Sequence, residues 1–169
     1  MNTSRTEAEE TAREIGALGR DARLVQGDLS RVEEARRAAR EALEVLPNLA
    51  ILVNSAANFP QVDLADIEPA DWEMALDTNL LGPFWLAQSL GPKFVERGAG
   101  KIINLADISW RSPWTTRLPY CVSKAGLVSL TVGLAKAYAP QVQVNAIGPG
   151  PILFPEDYSQ EKRDKAIAK

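Results

Sequence analysis

Tyr120 and Lys124 stand one helical turn apart in Tyr120-Cys121-Val122-Ser123-Lys124. Side chains at i and i+4 share a helix face, so a phenol and an ammonium meet there. A free tyrosine ionises near pH ~10. A neighbouring positive charge favours the phenolate, and tuning toward neutrality makes the phenol a usable general acid. A shift of about 3 units corresponds to roughly 4 kcal/mol of differential stabilisation. Tyr-x-x-x-Lys also occurs on solvated helices with no chemical role, so the pair needs support from its surroundings.

The rest of the composition narrows the chemistry. The 169 residues contain no histidine and one cysteine, Cys121. That excludes Ser-His-Asp and Cys-His catalysis, histidine-ligated zinc, an intramolecular disulfide and a multi-cysteine metal centre. No metal site is expected, and a reducing cytoplasm is the natural setting. Hydrophobic residues make up 46% and charged residues 24%, with a net charge of −3. That balance fits a globular protein and steers the chain toward neither nucleic acid nor an anionic membrane. The longest apolar runs, Leu49–Val53 and Leu80–Leu86, are too short to span a bilayer.

The elements that must position Tyr120 and Lys124 alternate. Thr3 to Leu18 reads as a helix capped by Thr3 or Ser4, Ala22–Gln26 as a strand, and Ser30 caps a helix to about Leu46 with Glu33 and Arg37 at i, i+4. Leu49–Asn54 is a continuous apolar run, as in a strand covered on both faces. Glu68-Pro69 opens a long helix to about Glu96, which Pro83 and Pro92 bend or divide. Lys101–Leu105 and Val142–Ala146 read as strands flanking a helix from Tyr120 to Tyr138. The alternation predicts an α/β fold with a parallel sheet, in which ligands bind beyond the carboxyl ends of the strands. Asp28, Asn54, Asp107 and Gly148 all fall at or just after expected strand ends.

Gly100-Lys101-Ile102-Ile103-Asn104-Leu105 followed by Tyr120-x-x-x-Lys124-Ala125-Gly126 resembles the short-chain dehydrogenase/reductase family. Further matches follow in order. Gly27-Asp28-Leu29 resembles the adenine-contacting turn, and Asn54-Ser55-Ala56-Ala57 the Asn-Asn-Ala-Gly segment. Asn79 matches the helix asparagine of the family's tetrad, and Asn145–Ile152 the Pro-Gly segment at the nicotinamide. Ser55 and Ala57 depart from the usual asparagine and glycine.

The family's serine, thirteen residues before the tyrosine, is here Asp107. That substitution resembles the pteridine reductase branch, as does Phe59, which aligns with the aromatic residue that stacks the pterin. Ile152-Leu153-Phe154-Pro155-Glu156 resembles the loop of bacterial pteridine and dihydromonapterin reductases. The resemblance implies a Rossmann-like, doubly wound parallel sheet in one partial domain over residues 1–169, incomplete at both ends. The glycine-rich strand-turn-helix and the final part of the family fold have no counterpart in the chain, which reads as an internal piece of a longer reductase. Such a parent would transfer hydride from a reduced nicotinamide to a C=N bond of a pteridine.

In that scheme Tyr120 donates the proton, Lys124 binds the ribose, Asp107 orients Tyr120 and the substrate nitrogen, and Asn79 holds a relay water. Phe59 stacks the substrate. Ser4, Arg5, Asp28, Leu29, Asn54, Ala56, Pro149, Gly150 and Ile152 contact the cofactor. Ser4 and Arg5, with no acidic residue beside them, favour NADP(H) over NAD(H). The family resemblance also implies a homodimer or homotetramer. Alternatives are a general carbonyl reductase such as a 3-oxoacyl reductase, or a non-catalytic chain that keeps the fold.

Overall fold

The computed structural model describes residues 5–150 and 159–167. In chain order the elements are α1 (Arg5–Ala17), α2 (Val32–Val45), β1 (Ile51–Asn54), α3 (Pro69–Leu76), α4 (Gly82–Glu96), β2 (Gly100–Leu105), α5 (Leu118–Tyr138), β3 (Val142–Ile147) and α6 (Gln160–Ile167). The strands form one parallel sheet in the order β1-β2-β3. Asn54 lies opposite Asn104, and Leu105 opposite Ile147. All three strands therefore end on the same side. The fold is that of an incomplete Rossmann-like sheet, as the alternating pattern predicts.

Its core is one layer deep. Ile102, Val142 and Val144 meet Ala39 of α2, Ala87, Leu90 and Phe94 of α4, and Leu134 of α5. Helix α4 is seated by a close approach: Gly91 faces the Tyr138 ring so directly that a Cβ there would overlap it. The Tyr138 hydroxyl donates to the Ala87 carbonyl at 3.1 Å. Helix α5 is long and apolar enough to cross a membrane by length and composition alone. Here its Leu127, Thr131 and Leu134 are buried in the domain interior.

Four expectations need correction. Residues 22–26 form no strand. β-propensity needs a ladder to act on, and among the described residues β1 pairs only with β2. The run Leu49–Asn54 is not covered on both faces: Ile51 and Val53 are 50% and 54% exposed. Ser30 does not cap α2, because its hydroxyl donates instead to Asp28 Oδ1 at 2.6 Å. Arg37 pairs with Glu34 and Glu41 rather than Glu33, and Glu33 faces Arg36. The caps expected at Thr3 and Ser4 lie outside the described residues.

The long helix expected from Glu68 to Glu96 is divided. A capping box between Glu68 and Asp71 opens α3. A π-helical turn, Asp77–Leu81, then joins it to α4. Such a turn inserts a residue into the helical ladder and often marks a functional site. Asn79 sits in it, fully buried.

Candidate active site at the carboxyl ends of the strands

Asp107 follows β2 and has extended backbone, capping the short helical turn Ile108–Trp110. Its Oδ1 accepts the Ser109 amide at 2.7 Å. Its Oδ2 accepts the Tyr120 hydroxyl at 3.0 Å. Tyr120 lies in the first turn of α5, and Lys124 one turn on, both buried. The Lys124 ammonium donates to the Leu105 carbonyl at 2.6 Å, at the end of β2. Sequence neighbours and strand ends thus converge on one point.

The electrostatics differ from the sequence expectation. Tyr120 is pushed above its ordinary value of 10.0, first by burial, then by the Asp107 charge and by the hydrogen bond donated to that carboxylate. The nearby positive charge of Arg117 pulls in the opposite direction. The ammonium of Lys124 lies 5.7 Å from the Tyr120 ring centroid but is directed at Leu105. Burial holds Lys124 below its ordinary value of 10.5, partly offset by Asp107. Tyr120 is therefore a protonated phenol across the neutral range, locked as a donor to Asp107 rather than poised near neutrality.

Asn79 is occupied. Its Nδ2 donates to the Asn58 carbonyl at 3.0 Å and to Ser123 Oγ at 3.1 Å, and its Oδ1 accepts the Asn58 amide at 2.7 Å. The side chain thus splints residue 58 to α5 instead of presenting a free amide to a water. Asn54 joins a buried polar chain: it donates to Asn104, Asn104 donates to Thr131, and Thr131 donates to the Leu127 carbonyl. Asn54 Oδ1 and Ser109 Oγ are buried without partners.

Phe59 is half exposed at the mouth. It packs edge-on against Tyr120, centroids 4.6 Å apart, and against Trp114 at 5.9 Å. Pro149 accepts the Ile108 amide at 3.1 Å, which pins the segment after β3 beside Asp107; Gly150 lies near Ile108. Ala56 is exposed after β1. Asp28 and Leu29 lie in the turn before α2, where Asp28 Oδ1 accepts the Ser30 amide at 3.0 Å. Without a strand at 22–26, Asp28 is a turn residue and not a strand end. Arg5 opens α1 and pairs with Glu9 at 2.9 Å on the surface. Ser4 and Ile152 lie outside the described residues.

The structure thus gathers Asp107, Tyr120, Lys124, Asn79, Asn54 and Phe59 around the strand ends. It also adds Asn58, Ser123, Arg117 and Trp114, which sequence reasoning missed. Ser123 and Arg117 are three residues either side of Tyr120, a helical spacing that could have pointed to them. Asn58 and Trp114 depend on long-range packing and left no local signal.

A family model described as short chain dehydrogenase matches residues 1–165. The chain belongs to the short-chain dehydrogenase family. It is 35% identical over 130 residues to an NAD-dependent glycerol dehydrogenase of Listeria innocua, covering 76% of this chain and 51% of the relative. It is 30% identical over 151 residues to the 3-oxoacyl-[acyl-carrier-protein] reductase FabG of Staphylococcus aureus, covering 89% of this chain and 61% of the relative. A solved blue fluorescent protein from a metagenomic library, in complex with NADPH, superposes with a TM-score of 0.87, with 27% identity, covering 99% of this chain and 68% of that one. The chain therefore spans roughly half to two thirds of the length of its short-chain dehydrogenase relatives.

Donor chemistry at the site fits a nicotinamide nucleotide. An ammonium has three donors, and Lys124 directs one at Leu105, which leaves two for the hydroxyls of a ribose.

Proposed function

We propose that the protein carrying this chain is a nicotinamide-dependent oxidoreductase that interconverts a carbonyl and an alcohol on a small substrate. The observation that carries this reading is the buried Tyr120–Lys124 pair at the strand ends, with the phenol protonated and hydrogen-bonded to Asp107. When bound, the nicotinamide supplies or accepts the hydride. Lys124 holds the ribose. Tyr120 turns its hydroxyl from Asp107 to the substrate oxygen and donates its proton there. Asp107 holds the phenol in place until that rotation, and Asn79 keeps the Asn58 main chain fixed beside it. Asn54, Ala56, Pro149 and Gly150 would hold the nicotinamide half of the cofactor, and Asp28 and Leu29 the adenine half; Ile152 is assigned to the nicotinamide half from sequence alone. Residues 1–169 are one partial domain of the whole.

Carbonyl chemistry is supported by the names of the relatives, a glycerol dehydrogenase and a 3-oxoacyl reductase. It replaces pteridine reduction as the leading reading. Phe59 is also less available for stacking than its position suggests, because the Arg117 guanidinium lies 3.7 Å from its ring centroid. Pteridine C=N reduction is kept as the second reading on one observation, the carboxylate of Asp107 where a serine hydroxyl is usual.

NADP(H) is the proposed cofactor. Arg5 would exchange Glu9 for the 2′-phosphate, its sequence neighbour Ser4 being the second proposed ligand, and the NADPH complex of the metagenomic relative supports that reading. Val132, 52% exposed on α5, is proposed to face a second subunit in a homodimer or homotetramer. Fluorescence titration with NADPH and NADH tests binding, and loss of cofactor absorbance with acetoin, a 3-oxoacyl thioester or a dihydropterin tests the substrate. Turnover of a carbonyl substrate is expected. Turnover of the dihydropterin alone moves the assignment to the second reading, and absence of cofactor binding makes the chain non-catalytic.

A further inference from the structure

Two loops face each other at the mouth of the site. The Val62 amide donates to the Thr116 carbonyl at 2.9 Å, and Arg117 reaches back across the same gap. Its NH1 donates to the Phe59 carbonyl at 2.6 Å and its NH2 to Gln61 Oε1 at 3.3 Å. The guanidinium carbon lies 3.7 Å from the Phe59 ring centroid. One side chain therefore bonds the backbone of residue 59 and covers a face of its ring at once. Among the described residues no carboxylate pairs with it, so this cation is spent on the loop and not on an ion pair.

We propose that Arg117 is a positioning residue for this active site: it clamps Phe59 edge-on against the Tyr120 phenol and so fixes one wall of the substrate pocket. The inference rests on the oxidoreductase reading for its effect on turnover, but the clamp itself does not. A planar guanidinium suits both halves of the task, since it stacks on an aromatic face and donates in a fixed fork. Phe59 in turn touches Tyr120 at 4.6 Å and Trp114 at 5.9 Å, so the clamp sets the space beside the reacting hydroxyl. The groups facing Tyr120 are then Asp107, Lys124, Cys121 and Arg117, and of the charges whose influence on the phenol is resolved, Arg117 is the one that opposes Asp107. Covering one ring face also leaves less of Phe59 for a flat heterocycle, which favours small substrates.

Hydrogen exchange resolved by residue tests the clamp without turnover. In Arg117→Ala the Val62 amide, which donates to the Thr116 carbonyl across the same gap, is expected to exchange about tenfold faster or more, the loss of roughly one charge-assisted hydrogen bond. The α5 amides from Leu127 to Leu134 should keep their protection, which shows that the fold is intact. Arg117→Lys keeps the charge but lacks the planar fork, and should not restore protection at Val62. With the carbonyl substrate, KM should rise about tenfold in both variants while kcat changes less. Unchanged exchange at Val62 in Arg117→Ala, or full rescue by lysine, overturns the proposal. Absence of turnover in the wild type would sink the functional reading and leave the exchange result to decide the clamp.

Discussion

Tyr120 and Asp107 are 13 residues apart in sequence and 3.0 Å apart in the structure, with the phenol donating to the carboxylate. A serine at position 107 could donate to a substrate carbonyl, whereas a carboxylate accepts. The pair therefore holds the proton on Tyr120 and directs it at the carboxylate.

Replacing one partner at a time separates the two substrate readings. Tyr120→Phe removes the proton donor and should lower kcat by about 10²-fold or more on any substrate. Asp107→Ser removes the competing acceptor and supplies a hydroxyl. If the substrate is a carbonyl, this variant should keep or raise kcat/KM. If it is a pteridine, the same variant should lose about 10²-fold. Steady-state rates on the two substrates, measured side by side, give the answer.

Asn79 offers a test of the splint. Its Nδ2 faces the Asn58 carbonyl and Ser123 Oγ. In Asn79→Asp an oxygen replaces that donor and meets the carbonyl oxygen inside a fully buried site. Leaving a buried acceptor unpaired costs about 1–3 kcal/mol, and more when a charge is involved. A drop in unfolding free energy of about 2 kcal/mol or more is expected in urea. A variant as stable as the wild type would mean that the π-helical turn does not depend on these bonds.

Much of this arrangement was legible because the informative spacings were local. Tyr120 and Lys124 lie on one helix, and the strands expected at 49–54, 101–105 and 142–146 fall within two residues of Ile51–Asn54, Gly100–Leu105 and Val142–Ile147. Asp107 was found by counting from Tyr120. The direction of the Tyr120 shift was not legible, because it depends on which oxygen the hydroxyl meets, a contact across the site and not along the helix. The strand expected at 22–26 failed for a similar reason: a ladder partner is a tertiary fact that no pentapeptide encodes. Arg117 escaped notice because its target, Phe59, lies 58 residues away. The π-helical turn was hidden within a segment whose prolines signalled only a bend.

Gly91 provides a packing test distant from the chemistry. A Cβ at this position would overlap the Tyr138 ring, which is itself anchored to Ala87. Gly91→Ala gains helix propensity worth about 1 kcal/mol, but overpacking costs about 1–3 kcal/mol. Tyr138 is a large side chain held by a hydrogen bond, so the steric cost should win. The expected result is a lower urea midpoint with an unchanged slope. Gly91→Ala combined with Tyr138→Leu should recover part of the loss; no recovery would show that the clash is elsewhere.

Stability against pH follows from the buried site. Burial lowers Lys124 below 10.5, so in the window between its folded value and 10.5 the unfolded chain binds more protons than the folded one. Stability then rises with pH across that window, and at neutral pH the buried ammonium is a cost. Tyr120 and Tyr138 act in the opposite sense. Both are raised above 10.0, so their contribution is fully present below pH 10.0 and is lost as pH climbs toward their folded values. Lys124→Met should therefore raise stability at pH ~7, by about 1 kcal/mol or more, because an apolar side chain of similar length carries no desolvation penalty. The advantage should shrink as the pH rises and vanish above 10.5, where the wild-type lysine is neutral in both states. Tyr120→Phe should flatten the alkaline fall but leave the neutral range unaffected by titration. Urea unfolding of the wild type and both variants between pH 7 and 11 measures these slopes. A Lys124→Met variant less stable than the wild type at pH 7 would show that the bond from the ammonium to the Leu105 carbonyl outweighs the cost of burying the charge.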